Sequence, residues 1–112
     1  MTYATEEQHK LAIWEKASTV ENYDPRVFRK DKAGAWIKWS DYGKTDFETN
    51  LGWQIDHSKP LSGQGSDDLD NMQPLHWVNN EAKGDIYPTW QPKVTSSGNK
   101  NITSERLPYI TE

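Results

Sequence analysis

Apolar residues fall along this chain in short separated runs, and the spacing within each run predicts an element. Thr5-Glu6-Glu7-Gln8 has the form of a capping box, in which a hydroxyl and a side-chain amide satisfy free donors at a helix start. It predicts a helix from about residue 5 to 18, with Leu11, Trp14 and Ala17 as its apolar stripe and Ile13 beside them. Pro25 disfavours helix at Asp24, and a polar connection follows. Ala35-Trp36-Ile37-Lys38-Trp39, set between Ala33-Gly34 and Asp41-Tyr42-Gly43, predicts a short aromatic-rich strand.

Trp53-Gln54-Ile55-Asp56-His57 alternates as a strand does, placing Trp53 and Ile55 on one face. Ser58 to Asp70, with Pro60, Gly63, Gly65 and three Asp residues, has the composition of a defined loop. Asn71 to His76 returns as a second strand, and Pro74, which lacks an amide donor, suits a sheet edge. Trp77 to Lys83 contains no Pro or Gly and is followed by Gly84, so a helix capped at Gly84 is predicted. Pro88, Pro92, Pro108 and the Thr-, Ser-, Gly- and Asn-rich stretch from Thr95 to Ser104 predict an irregular extension over 86–112. With no repeat and no linker, the 112 residues read as a single α+β domain.

Composition changes this picture in three ways. Only 33% of residues are hydrophobic, so the six Trp, five Tyr and two Phe must supply much of the core. Cysteine is absent, which excludes disulfides and cysteine-ligated zinc and leaves His, Asp, Glu and Asn as possible metal ligands. No apolar run is long enough for a signal peptide or a membrane span, so the expected setting is cytoplasmic, a reading that still admits a toxin exported by a dedicated machine. The net charge of -4, from 13 Lys and Arg against 17 Asp and Glu, is unusual for a nucleic-acid binder, yet seven basic residues between Arg26 and Lys59 leave room for a local basic face.

The chemistry concentrates between Trp53 and Asp85. Asp56-His57 sets a carboxylate beside an imidazole at a strand end; a loop ending in Asp70-Asn71 follows, then Gln73-Pro74-Leu75-His76, then Asn79-Asn80-Glu81-Ala82-Lys83-Gly84-Asp85. This ordered run over 52–85 resembles the HNH endonuclease family, the ββα-metal fold. Arg29-Lys30-Asp31-Lys32-Ala33-Gly34-Ala35-Trp36-Ile37 with Asp41-Tyr42-Gly43 is similar to small stand-alone members, of bacterial or phage type. Many members carry two Cys on the helix for a structural zinc; the corresponding places here are His76 and Asn79, so that zinc cannot form in its usual way.

The resemblance implies a ββα core of a two-stranded antiparallel hairpin and one helix, with the N-terminal helix and the aromatic-rich strand added to it. It further implies that Asp56 and Asn80 ligate one divalent cation, that neutral His57 removes a proton from the attacking water, and that Asn71 fixes the His57 ring by a hydrogen bond. Oxygen ligands suit Mg²⁺ or Mn²⁺. His76, four residues before Asn80, would share a helix face with it if the helix begins by His76, and as a ligand would widen the choice to Zn²⁺, Ni²⁺ or Co²⁺. Lys83, Lys59 and Arg29 are candidate phosphate contacts.

Three functions are compatible with these residues. The first is a metal-dependent endonuclease acting on DNA, RNA not being excluded, with salt-sensitive binding and weak sequence preference. The second is an inactive HNH-fold module that binds nucleic acid or protein. The third is a nuclease toxin or effector neutralised by an immunity protein. Retention of Asp56, His57, Asn71 and Asn80 together favours the enzyme, whereas the acidic net charge favours the inactive module.

Overall fold

The computed structural model describes residues 5–112. Its elements are α1 (Glu6–Trp14), β1 (Phe28–Lys30), β2 (Trp36–Lys38), β3 (Trp53–His57), β4 (Met72–His76), α2 (Trp77–Lys83), β5 (Thr89–Trp90), β6 (Val94–Ser97), β7 (Lys100–Thr103) and β8 (Ile110–Thr111). The described strands form antiparallel pairs, β1 with β2, β3 with β4, β5 with β8 and β6 with β7, which makes the fold α+β.

α1 begins as its sequence dictates, with the Thr5 hydroxyl accepting from the Gln8 amide at 3.0 Å. It ends at Trp14, short of residue 18, because the chain beyond it is drawn into another ladder: Ser18 and Lys30 exchange both backbone hydrogen bonds at 2.9 Å. Ile13, Trp14 and Ala17 are buried, but Leu11 is 45% exposed and drops out of the expected stripe. β1 was concealed in the polar connection, since Phe-Arg-Lys has no alternation to reveal it.

The core gathers Trp14, Ala17, Ile37 and Trp53, with Trp39 and Ile55 packed against them. Trp14 lies 5.2 Å from Trp53 and 5.6 Å from Trp39 between ring centroids, tilted or edge-on as ring quadrupoles favour. Its indole N–H donates to the Pro25 carbonyl at 3.0 Å, so burial leaves no donor unsatisfied there.

A second, polar centre joins four elements. The carboxylate of buried Asp31 accepts from the amides of Ala33, Ala35 and His76 and from the Asn79 side chain, all at 2.9 to 3.0 Å. Asn79, also buried, donates to the Val94 carbonyl and accepts from the Lys93 and Val94 amides. Burial pushes the Asp31 carboxyl up, and these four donors oppose that shift. Hydrogen bonds thus bind the β1–β2 turn, β4, α2 and β6 together.

The stretch 86–112 departs from the irregular extension expected, because it holds β5 to β8. Gly98-Asn99 forms a two-residue loop between paired Ser97 and Lys100, and Gly98 takes φ +61°, which an L side chain rarely adopts. Val94 and Trp90 are buried, so this part of the chain contributes to the core.

Candidate active site

β3 and β4 pair in the register Asp56↔Gln73 and His57↔Met72, and α2 follows β4 directly. Pro74 sits opposite Ile55 on β4, which among the described strands pairs with β3 alone, so its missing amide costs no ladder bond to a further described strand. α2 docks on β3 through polar side chains. Asn80 donates to the Gln54 amide oxygen at 2.7 Å, and Lys83, one turn on, reaches Asp56 at 3.3 Å and the His57 carbonyl at 3.1 Å.

Strand alternation places Gln54 and Asp56 on the same side, towards α2. The result is a cavity of about 350 Å³ whose wall includes Asp56 and His57 from β3, Asn80 from α2, and Asp85 just beyond Gly84. Pro60, Leu61 and Ser62 of the β3–β4 loop complete one side. Asp56, His57 and Asn80, separated by up to 24 positions in sequence, therefore line one cavity.

Asp56 is 7% exposed. Its carboxylate accepts from the Gln73 amide at 2.9 Å as well as from Lys83. Burial raises its pKa above the ordinary carboxylate value; Gln73 and Lys83 pull it down, and the charge of Glu112 adds to the rise. Lys83 is fully buried and is not part of the cavity wall, so it holds Asp56 from behind and cannot reach a phosphate in the cavity.

Asn71 is not bonded to the ring of His57. Its side chain accepts from the Lys59 amide and donates to the Lys59 and Ser66 carbonyls, which cinches the β3–β4 loop, and its own carbonyl accepts from Ser58. The ring of His57 is held instead by Asp67, Nε2 to Oδ1 at 2.8 Å.

His76 precedes α2 as its N-cap, so it does not share a helical face with Asn80 as expected. The ring is fully buried, Nδ1 accepts from the Val78 amide at 3.1 Å, and Nε2 therefore carries the hydrogen that it donates to the Asn50 carbonyl at 3.0 Å. Burial lowers its pKa, and the bond to Asn50 opposes that. With both nitrogens in use, His76 has none to offer an ion.

Arg29 spends its guanidinium on the carbonyls of Pro25, Glu15 and Ala17, clamping the end of α1. Lys59 is exposed on the β3–β4 loop, with its backbone tied to Asn71. Among the described residues no three His, Cys, Asp or Glu side chains gather as a metal cluster. Of the metal ligands expected from the sequence, Asp56 and Asn80 line the cavity and His76 does not.

Residues 43–85 match the HNH endonuclease family model. The resemblance read from the sequence is thus borne out over this segment. Neither the curated proteins nor the solved structures searched gave a match. The matched segment spans β3, the loop carrying Asp67 and Asn71, β4 and α2, and the match points to nuclease-type function in general terms.

Several residues that shape the HNH segment were missed in the sequence. Gln73 is the cross-strand partner of Asp56, which only the β3–β4 register could have revealed, and Gln54 meets Asn80 only when α2 packs on β3. Glu112 lies outside the segment, yet it accepts from Gln73 at 2.6 Å, Trp90 at 3.0 Å and Lys32 at 2.7 Å. Burial works to raise its pKa, but the bonds from Lys32, Gln73 and Trp90 outweigh it and hold the carboxyl below its usual value. No local signal marks that residue.

Proposed function

We propose that this protein is an endonuclease that hydrolyses phosphodiester bonds in DNA using one divalent cation, Mg²⁺ or Mn²⁺, with His57 as general base. The observation that supports this reading is the shared cavity wall of Asp56, His57 and Asn80. The Asp56 carboxylate and the Asn80 amide oxygen would hold the ion, which would neutralise charge on the phosphate and assist departure of the leaving oxygen. With His76 committed to its cap, the donor set is all oxygen and favours hard ions over Zn²⁺, Ni²⁺ or Co²⁺.

Each side chain has a separate task. Gln73 and Lys83 fix the Asp56 carboxylate from its buried side, and Gln54 binds the amide nitrogen of Asn80, which directs the paired oxygen elsewhere. His57 takes a proton from water as that water's oxygen bonds to phosphorus. Asn71 keeps the loop over the site in one conformation.

One observation favours the inactive binding module: Lys83 already supplies Asp56 with a buried cation. Supercoiled plasmid incubated with the protein and Mg²⁺, Mn²⁺, Ni²⁺ or Zn²⁺, beside EDTA and His57→Ala controls, separates the two readings. Nicked and linear product that needs both an ion and His57 is expected. Cleavage surviving in His57→Ala removes the proposed base, and no cleavage with any ion on DNA or RNA supports the module.

A further inference from the structure

We propose that Asp67 is a positioning residue for the reaction, holding His57 as the Nε2–H tautomer so that Nδ1 is the nitrogen that accepts the proton from water; this rests on the nuclease reading above. An ionised carboxylate can only accept, so the 2.8 Å contact between Asp67 Oδ1 and His57 Nε2 puts the ring hydrogen on Nε2. Nδ1 keeps its lone pair and has no hydrogen-bond partner among the described residues. His57 lines the cavity and Asp67 does not, so the carboxylate grips the ring without occupying the space a substrate needs.

The loop is built to deliver this contact even though the Asp67 side chain is 80% exposed. Asn71 donates to the Ser66 carbonyl at 2.7 Å, one residue before Asp67, and its amide donates to the Asp68 carbonyl at 2.9 Å, one residue after. The Gly65 amide bonds to the Pro60 carbonyl at 2.8 Å, and a Cβ at Gly65 would lie 1.8 Å from the Lys59 carbonyl oxygen, so only glycine permits this closure. Asn71 therefore acts on His57 at one remove, through the backbone on either side of Asp67.

The proton balance follows from the tautomer. Water's O–H bond breaks as an N–H bond forms at Nδ1, the hydroxide oxygen bonds to phosphorus, and the sugar oxygen leaves with its bonding electron pair and is protonated from solvent. The imidazolium so formed carries a charge that Asp67 faces at Nε2, a stabilisation that an amide in its place could not match.

The test combines spectroscopy with kinetics on the full chain. ¹⁵N spectra of histidine-labelled protein at alkaline pH, about 9, where an ordinary imidazole is neutral, with His57 assigned by its loss in His57→Gln, should show the hydrogen on Nε2. Asp67→Ala should move both ring signals towards a tautomer mixture and lower kcat about tenfold with KM nearly unchanged. Asp67→Asn should keep the tautomer and lose less rate, and Asp68→Asn, on the same loop, should match the unsubstituted protein. A hydrogen found on Nδ1, an unchanged His57 tautomer in Asp67→Ala, or unchanged kcat in that variant would each overturn the proposal. An unsubstituted protein that cleaves nothing defeats the nuclease reading and this catalytic role with it, and a tautomer shift on Asp67→Ala identifies that case.

Discussion

At the scale of single residues, the pair Asp56 and Lys83 shows how burial turns an ordinary charge into a structural commitment. Lys83 is fully buried and Asp56 nearly so, and each has the other as its counter-charge. Replacing Lys83 by Met leaves a buried carboxylate unpaired and should cost about 3–5 kcal/mol, read by urea denaturation. If the nuclease reading holds, Mg²⁺ should raise the melting temperature of that variant more than that of the unsubstituted protein, since an ion at Asp56 then replaces the lost cation. Asp56 and His57 stood out as neighbours in the sequence, and both line the cavity. The partners that tune them were not, because Lys83 lies 27 positions from Asp56 and meets it only when α2 packs on β3.

At the scale of elements, α2 depends on a cap that protonation destroys. His76 accepts the Val78 amide through Nδ1, and burial lowers its pKa below the ordinary 6.5. The folded state thus binds a proton less readily than the unfolded one. Its contribution to stability is complete above pH 6.5 and is lost as pH falls below that value towards the folded pKa. Melting temperature should therefore decline on acidification below about pH 6.5, and His76→Asn, whose amide oxygen can cap at any pH, should flatten that decline when the two profiles are subtracted. The element itself was readable, since Trp77 to Lys83 lacks breakers and Gly84 terminates it. The role of His76 was not, because helical spacing places residues 76 and 80 together only if 76 lies inside the helix, and it lies one residue outside.

At the scale of the whole molecule, the HNH segment is supported from parts of the chain that lie beyond it. Trp14 and Ile37 pack on Trp53 at the start of β3, and Glu112 reaches Gln73 behind Asp56. Glu112→Ala would strip acceptors from Gln73, Trp90 and Lys32, and should lower stability by about 2 kcal/mol. If the nuclease reading holds, the same variant should also weaken Mg²⁺ binding by letting Gln73 move from Asp56, measured as a higher half-saturating ion concentration for cleavage. An unchanged ion dependence in a destabilised variant would limit Glu112 to a structural role. Where cysteine-bound zinc would be expected from the resemblance, Asp31 and Asn79 instead connect β1–β2, β4, α2 and β6.

The sequence by itself determined the elements whose signals are local: the Thr5 cap, β2, β3, β4 with Pro74, and α2 with Gly84. It also carried the resemblance to the HNH endonuclease family over 43–85, because those residues keep their order and spacing along one continuous stretch. Only the tertiary structure decided which polar atoms meet. Asp67 rather than Asn71 takes the ring of His57, His76 is spent on a cap, Lys83 is buried, and Glu112 stands behind Gln73. The physical reason is that periodicity reports the face on which a side chain lies, whereas a hydrogen bond needs a partner placed to within a few tenths of an ångström. That placement comes from packing among segments distant in the chain.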